Sequence, residues 1–174
     1  MKLILSIIVS CLSFSLAQAE PIMSLRDWSA EKDVMTVLNK KGCVAETLME
    51  LNTPTGPENF VLQVVKMETG MGDYTPPMIL VYPENKGLAN YYEAKAQSNK
   101  AGTPVFAMTL LQPDRSDKSI VAARSGNRLE VVRRLKADST FSVELMNENG
   151  TEFNPVFSLS GSSKTINAMD SACR

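Results

Sequence analysis

Between residues 34 and 123 the apolar positions come in short runs separated by turn formers. Val34-Met35-Thr36-Val37-Leu38 reads as a first strand, and Asn39-Lys40-Lys41-Gly42 as the turn that ends it. Further runs at 43–49, 60–67, 78–82, 89–94, 105–111 and 119–123 also read as strands. The run at 60–67 is almost continuously apolar, which predicts a central strand. Residues 52–57 (NTPTGP), 69–77 (TGMGDYTPP) and 95–103 read as breaks or loops. Residues 20–33 form a polar lead-in that carries the only tryptophan, Trp28, in one N-terminal hairpin region with Cys43.

The period then changes. Asn127 is placed to cap a helix over 127–136, with Glu130 three residues on in a capping-box arrangement. Leu129, Val132 and Leu135 share one face with Val131 beside them, and Arg133 and Arg134 fall on the solvent side. Phe141, Val143 and Leu145 alternate with polar residues, as do Phe153, Pro155, Phe157 and Leu159, with Asn149-Gly150 between the two runs. A two-residue loop would set the two apolar faces against each other. The three-residue loop Glu148-Asn149-Gly150 pairs Leu145 with Phe153 and Phe141 with Phe157, so both apolar sets share a face. The pattern therefore predicts a left-handed Gly150, and it places Pro155, which cannot donate a ladder bond, at an edge or bulge. After Gly161, Ser162 or Ser163 is a candidate cap for a last helix in which Ile166, Met169 and Cys173 form one inward stripe. The whole pattern describes a mainly β domain: an antiparallel sandwich or partly open barrel with two short helices near the C-terminus.

The first residues, MKLILSIIVSCLSFSLAQAE, place one lysine before an apolar run that ends in Ala17-Gln18-Ala19. This is the pattern of a secretory signal peptide over 1–19, and residues 20–174 would then be one β-rich domain. Ile8-Val9-Ser10-Cys11 gives a rival reading as a lipidation site, opposed by the short run before Cys11 and its continuation afterwards. Cleavage leaves no stable transmembrane segment, and it predicts a periplasmic or secreted, outer-surface location. It also leaves two cysteines, Cys43 and Cys173, in an oxidising compartment where a pair normally bonds. So long a loop is worth at most about 4–5 kcal/mol in the chain-entropy picture. A formal net charge of −1 offers no general footprint for nucleic acid.

The chain has no histidine. That removes the commonest general base, the Ser-His-Asp triad, the Cys-His pair and almost every catalytic zinc site. Ser29-Ala30-Glu31-Lys32, Ser125-Gly126-Asn127 and Lys164-Thr165 follow in order the S-x-x-K, S-x-N and K-T-G marks of penicillin-recognising enzymes. Ile166 stands where the third mark needs a small residue, and the first sits in a polar lead-in instead of opening a buried helix. The sequence therefore predicts no catalytic residues, no enzyme and no cofactor. Met67, Met71 and Met78 flank one loop, where packing is the commoner role than copper binding, so no metal site is predicted. Tyr74, Tyr91 and Tyr92 are a candidate interaction surface. Asn149-Gly150-Thr151 matches a glycosylation sequon, which the hairpin turn already explains.

The closing segment FSLSGSSKTINAMDSAC resembles that of the bacterial invasion-associated locus B family. A strand ending in a Ser-Leu pair and a glycine leads there into a small-residue helix, with a final cysteine in relatives. Trp28 followed by Cys43-Val44-Ala45 is similar to the family's opening tryptophan and Cys-x-Ala strand. SGNRLEVVRRLKADSTFSVEL is similar to its helix-then-strand element. The chain departs from the family in lacking further mid-chain cysteines and in its central portion. The resemblance implies a small exported domain of Gram-negative bacteria linked to host-cell invasion, and no enzyme. Taken together, the sequence predicts a non-enzymatic exported protein that binds another protein or an envelope component. The alternative is a periplasmic small-ligand or metal-binding protein.

Overall fold

The structure is a computed structural model that describes residues 19–53, 56–84, 91–99, 104–111, 120–147 and 150–174, with backbone alone at 91–93 and 147. The signal-peptide and Cys11 expectations, the first two residues of the run at 89–94, residues 100–103 of the expected loop, all of 112–119, and Glu148 and Asn149 of the hairpin lie outside the described residues.

Two cross-strand ladders explain the central run. Strand β3 (Lys41–Thr53) pairs antiparallel with β4 (Gly56–Gly70) along most of their lengths, from Gly42 opposite Met67 to Thr53 opposite Gly56. On its other side β4 pairs with β6 (Met78–Pro83). Phe60, Leu62 and Val64 of β4 enter the main core, while Val61 and Val65 enter a second cluster on the opposite face. A strand buried on both faces has no solvent side to encode, hence its almost continuously apolar sequence, broken only by Gln63 between Phe60 and Val65.

The remaining strands are β1 (Glu20–Leu25), β2 (Trp28–Met35), β5 (Asp73–Tyr74), β7 (Tyr91–Ser98), β8 (Phe106–Leu111), β9 (Ile120–Ala123), β10 (Thr140–Asn147), β11 (Glu152–Phe153) and β12 (Val156–Ser158). They form one antiparallel sheet in the spatial order β1-β2-β3-β4-β6-β9-β8-β7-β10-β11, with β5 added to β4 and β12 to β10. Two helices come late, α1 (Arg128–Ala137) and α2 (Ser162–Ala172). The mainly β architecture with two C-terminal helices stands as the pattern predicts; the sheet curls but does not close by strand pairing.

The last hairpin has the expected register. Leu145 lies opposite Phe153 and Phe141 opposite Phe157, and Gly150 has φ +75°. Pro155 separates β11 from β12, and its carbonyl accepts from the Val143 amide at 3.0 Å. Ile166 and Met169 of α2, and Cys173 just past its end, are fully buried.

Several expectations need correction. Val34–Leu38 is not a strand of its own: Val34 and Met35 end β2, and Val37 and Leu38 lie in the turn before β3. Residues 20–33 are not a polar lead-in; they form the β1–β2 hairpin, whose polar residues line an outer face while Trp28 and Ala30 point inward. Residues 95–98 are not loop. Ala96 and Ser98 are buried, and the segment pairs with β10 from Lys95 opposite Glu144 to Ser98 opposite Phe141. Small inward residues carry too little hydrophobicity to show as a strand. Leu129 is 76% exposed, because α1 turns Val131, Val132 and Leu135 inward and Leu129 lies outside that arc. The capping box does not form: Asn127 makes no side-chain cap, and Glu130 instead binds Arg133 and Arg134, which draws its carboxyl down to about 2.

Gly161 rather than a serine stands at the N-cap of α2, with φ +97°. Ser162 is buried, and its hydroxyl bonds the carbonyls of Leu135 (2.5 Å) and Leu159 (2.8 Å). A Cβ at position 161 would collide with the Leu25 carbonyl oxygen of β1. Gly161→Ala should therefore destabilise the fold by about 2 kcal/mol or more, from left-handed strain plus the collision. A shift of the urea midpoint reads this directly; an unchanged midpoint would refute the close approach of α2 to β1.

Candidate functional site

The two ends of the sheet meet without a strand ladder between them. Cys43 of β3 and Cys173 just beyond α2 form a disulfide with Cα atoms 6.5 Å apart. Both residues are fully buried. Beside it, the Trp28 indole of β2 donates to the Ser158 carbonyl of β12 at 3.0 Å, and Arg26 donates to the Ser160 hydroxyl at 2.8 Å. Lys66 stands opposite Cys43 on β4, and its ammonium reaches the Cys173 carbonyl. Lys136 binds Asp170 at 2.9 Å. Two cations thus sit at the C-terminal end of α2, where unpaired carbonyls and the helix dipole favour positive charge.

The sequence-derived candidates are not gathered into one place. Tyr74 is half-buried against the main core, on β5 opposite Glu68. Tyr91 begins β7, opposite Asn147 of β10, with Tyr92 next to it; their side chains lie outside the described residues. Met67 and Met78 pack on the outer cluster, whereas Met71 is fully exposed at the tip of the β4–β5 turn, so the three thioethers are divided between core and solvent. Among the described residues no group of His, Cys, Asp or Glu is arranged to hold a metal ion. Ser29 lies on β2 and Ser125 opens a 3₁₀ turn, while Lys164 and Thr165 sit in α2 instead of the strand that the K-T-G mark requires.

A feature the sequence reading missed lies on the outer face of β2, β3 and β4. Ser29, Glu46 and Gln63 stand opposite one another across the three strands. A bulge in β2 between Glu31 and Val34, with Asp33 at φ +61°, turns the following residues over this face. The Asp33 carboxylate holds Lys41 at 3.0 Å. Beneath the turn, Val34, Val37 and Leu38 help cover the second apolar cluster. Ser29, Glu31, Thr36, Glu46 and Gln63, with Val34, Met35 and Val44, line a cleft of about 210 Å³. The Gln63 amide nitrogen donates to Glu46 at 2.6 Å. Burial, with the negative field of Glu46 second, holds the neighbouring Tyr82 hydroxyl protonated far above its usual range. The sequence did carry a signal for this: Gln63 is the one polar residue inside Phe60-Val61-Leu62-Gln63-Val64-Val65.

Replacing both Cys43 and Cys173 by serine should cost about 2–4 kcal/mol of unfolding free energy. The unmodified protein should show no free thiol by mass analysis under non-reducing conditions, and two free thiols would refute the closure.

Among the described residues no helix is long and apolar enough to cross a membrane. No family model and no curated protein matches this chain. A solved structure does: invasion associated protein B from Bartonella henselae superposes with a TM-score of 0.53 at 13% identity, over 89% of this chain and 97% of that one. At that identity the likeness is one of fold, and in fold this chain is similar to an invasion-associated protein.

Proposed function

We infer that this chain is an exported, non-enzymatic binding protein of the periplasm or outer surface, acting on a protein or envelope component in a setting linked to host-cell invasion. The observation that carries the reading is the likeness in fold, over 89% of the chain, to a protein named for invasion. Two further features support it. The Cys43–Cys173 disulfide suits an oxidising compartment, and the absence of histidine removes the usual acid–base and nucleophile-activating machinery. Tyr91 and Tyr92 are the proposed contact residues, since tyrosine combines apolar area with a polar tip. Tyr74 is already half-committed to the core, so its share in a contact is smaller. The second reading, a small-ligand protein, is favoured by one observation, the outer-face cleft at Glu46 and Gln63.

The test is capture from the organism's own envelope fraction, with residues 20–174 as bait and the Tyr91→Ser/Tyr92→Ser variant beside them. A discrete component should be retained by the bait and held at least about tenfold less by the variant, the scale of losing one or two aromatic anchors. Equal capture by both would remove the tyrosine surface, and turnover of a generic ester by the purified chain would remove the non-enzymatic reading.

A further inference from the structure

Lys66 is a cation on the inward side of β4. Phe60, Leu62 and Val64 enter the main core, and Lys66 follows them in the same alternation, its side chain only 13% exposed. Its ammonium reaches the Cys173 carbonyl. The Asp170 carboxylate stands 4.0 Å from that ammonium and is held more closely, at 2.9 Å, by Lys136. Two ammoniums thus share one carboxylate, and the cluster carries a surplus positive charge. The end of a helix tolerates such a charge. What the charge does depends on the groups beside it.

Those groups are two sulfurs. Cys43 lies directly opposite Lys66 in the β3–β4 ladder, on the same face, where facing Cβ atoms are about 4.5–5.5 Å apart. Cys173, bonded to it, is the residue whose carbonyl the ammonium holds. The other charges nearby are matched or turned away. On its far side Cys43 faces the bulge of β2, which contains Lys32 and Asp33. Lys32 stands opposite Glu20 of β1, and Asp33 holds Lys41 at 3.0 Å. Arg174, which follows Cys173, is exposed. Lys66 therefore sets the sign of the field at the cysteine pair.

Before their bond exists both residues are thiols, and the thiolate is the form that attacks a disulfide. An adjacent ammonium favours the thiolate. The two cysteines differ in what opposes it. Cys173 sits at the C-terminal end of α2, the negative end of the helix dipole, whereas Cys43 is held in mid-ladder by β4. Cys43 is thus the better-placed nucleophile, and Cys173 the sulfur to be attacked.

We propose that Lys66 is a positioning residue for the oxidative closure of this chain: its ammonium favours the Cys43 thiolate and, through the Cys173 carbonyl, holds Cys173 in the path of attack. The oxidant is a small disulfide, RSSR. The Cys173 thiol gives its proton to solvent and its sulfur attacks RSSR, forming a mixed disulfide and releasing one RS⁻. The Cys43 thiolate then attacks the Cys173 sulfur, forming the Cys43–Cys173 bond and expelling the second RS⁻. Two protein thiols are oxidised, one RSSR is reduced, and the two protons end on the two released thiols.

The experiment starts from residues 20–174, reduced and unfolded, and returns them to native conditions with glutathione disulfide across a range of pH. Acid quenching and mass separate the mixed disulfide from the closed chain, so the closing step is read by itself. Lys66→Gln keeps a donor and loses the charge. It should raise the pH at which closing is half-maximal by about one pH unit and slow closing about threefold below neutral pH, since a tenfold loss of thiolate is partly offset by the stronger nucleophilicity of a more basic one. Lys66→Arg should restore the parent profile. Asp170→Asn, which enlarges the surplus charge, should move the midpoint to lower pH. Lys164→Gln removes an exposed charge at the other end of α2 and should leave the midpoint in place. Each reaction begins from the unfolded chain, so a variant of low stability still reports its midpoint. A lysine that only supports the fold would slow closing equally at every pH with the midpoint unmoved, and that result overturns the proposal. So does Lys66→Arg behaving as Lys66→Gln does, Asp170→Asn leaving the midpoint unmoved or raising it, or Lys164→Gln shifting it as far as Lys66→Gln.

Discussion

The Cys43–Cys173 disulfide joins the two parts of the fold that no backbone ladder joins. A curled sheet either closes on itself by strand pairing or leaves edges that must be covered. Here β1 and β2 come back to within side-chain reach of β12 and α2, and the seam is sealed by a covalent bond, the Trp28–Ser158 hydrogen bond and the packing of α2 on β1, β2 and β3. Other placements follow from it. Gly161 must be a glycine because α2 enters against the Leu25 carbonyl. Lys66 points along the inner side of β4 because the end of α2 arrives there.

The seam also leaves the outer face of β2, β3 and β4 free to carry something else. With the core closed from within, a second apolar cluster can sit outside under the turn that follows Asp33. At its polar border Glu46, Gln63 and Thr36 are among the residues that line the cleft. The ladder between β3 and β4 holds Glu46 and Gln63 opposite each other there.

Much of this was legible in the chain. The register of the last hairpin follows from keeping Phe141, Leu145, Phe153 and Phe157 on one face, and Gly150 is the residue able to make the turn. The inward stripe ending in Cys173 is written in α2's periodicity, and the disulfide in the cysteine count. What stayed hidden lacked a local signal. Strand β1 and the end of β7 are built from polar and small residues whose strand character comes from their partners, not from propensity. Leu129 looked buried because the spacing of Leu129, Val132 and Leu135 is helical, but the arc that packs is centred on Val131 and Leu135. The cleft depends on a bulge that no pattern announces, although Gln63 in the middle of an apolar run was a visible irregularity.

The most direct test of the central claim is hydrogen exchange at one atom, the indole Nε1–H of Trp28, in the oxidised and the reduced protein. Trp28 is the chain's only tryptophan, it is buried, and this atom donates across the seam. If the seam is the closure on which the fold depends, this hydrogen exchanges in the oxidised protein only on global unfolding, and reduction of the disulfide speeds its exchange by orders of magnitude. Fast exchange in the oxidised protein, or exchange indifferent to reduction, would contradict the account.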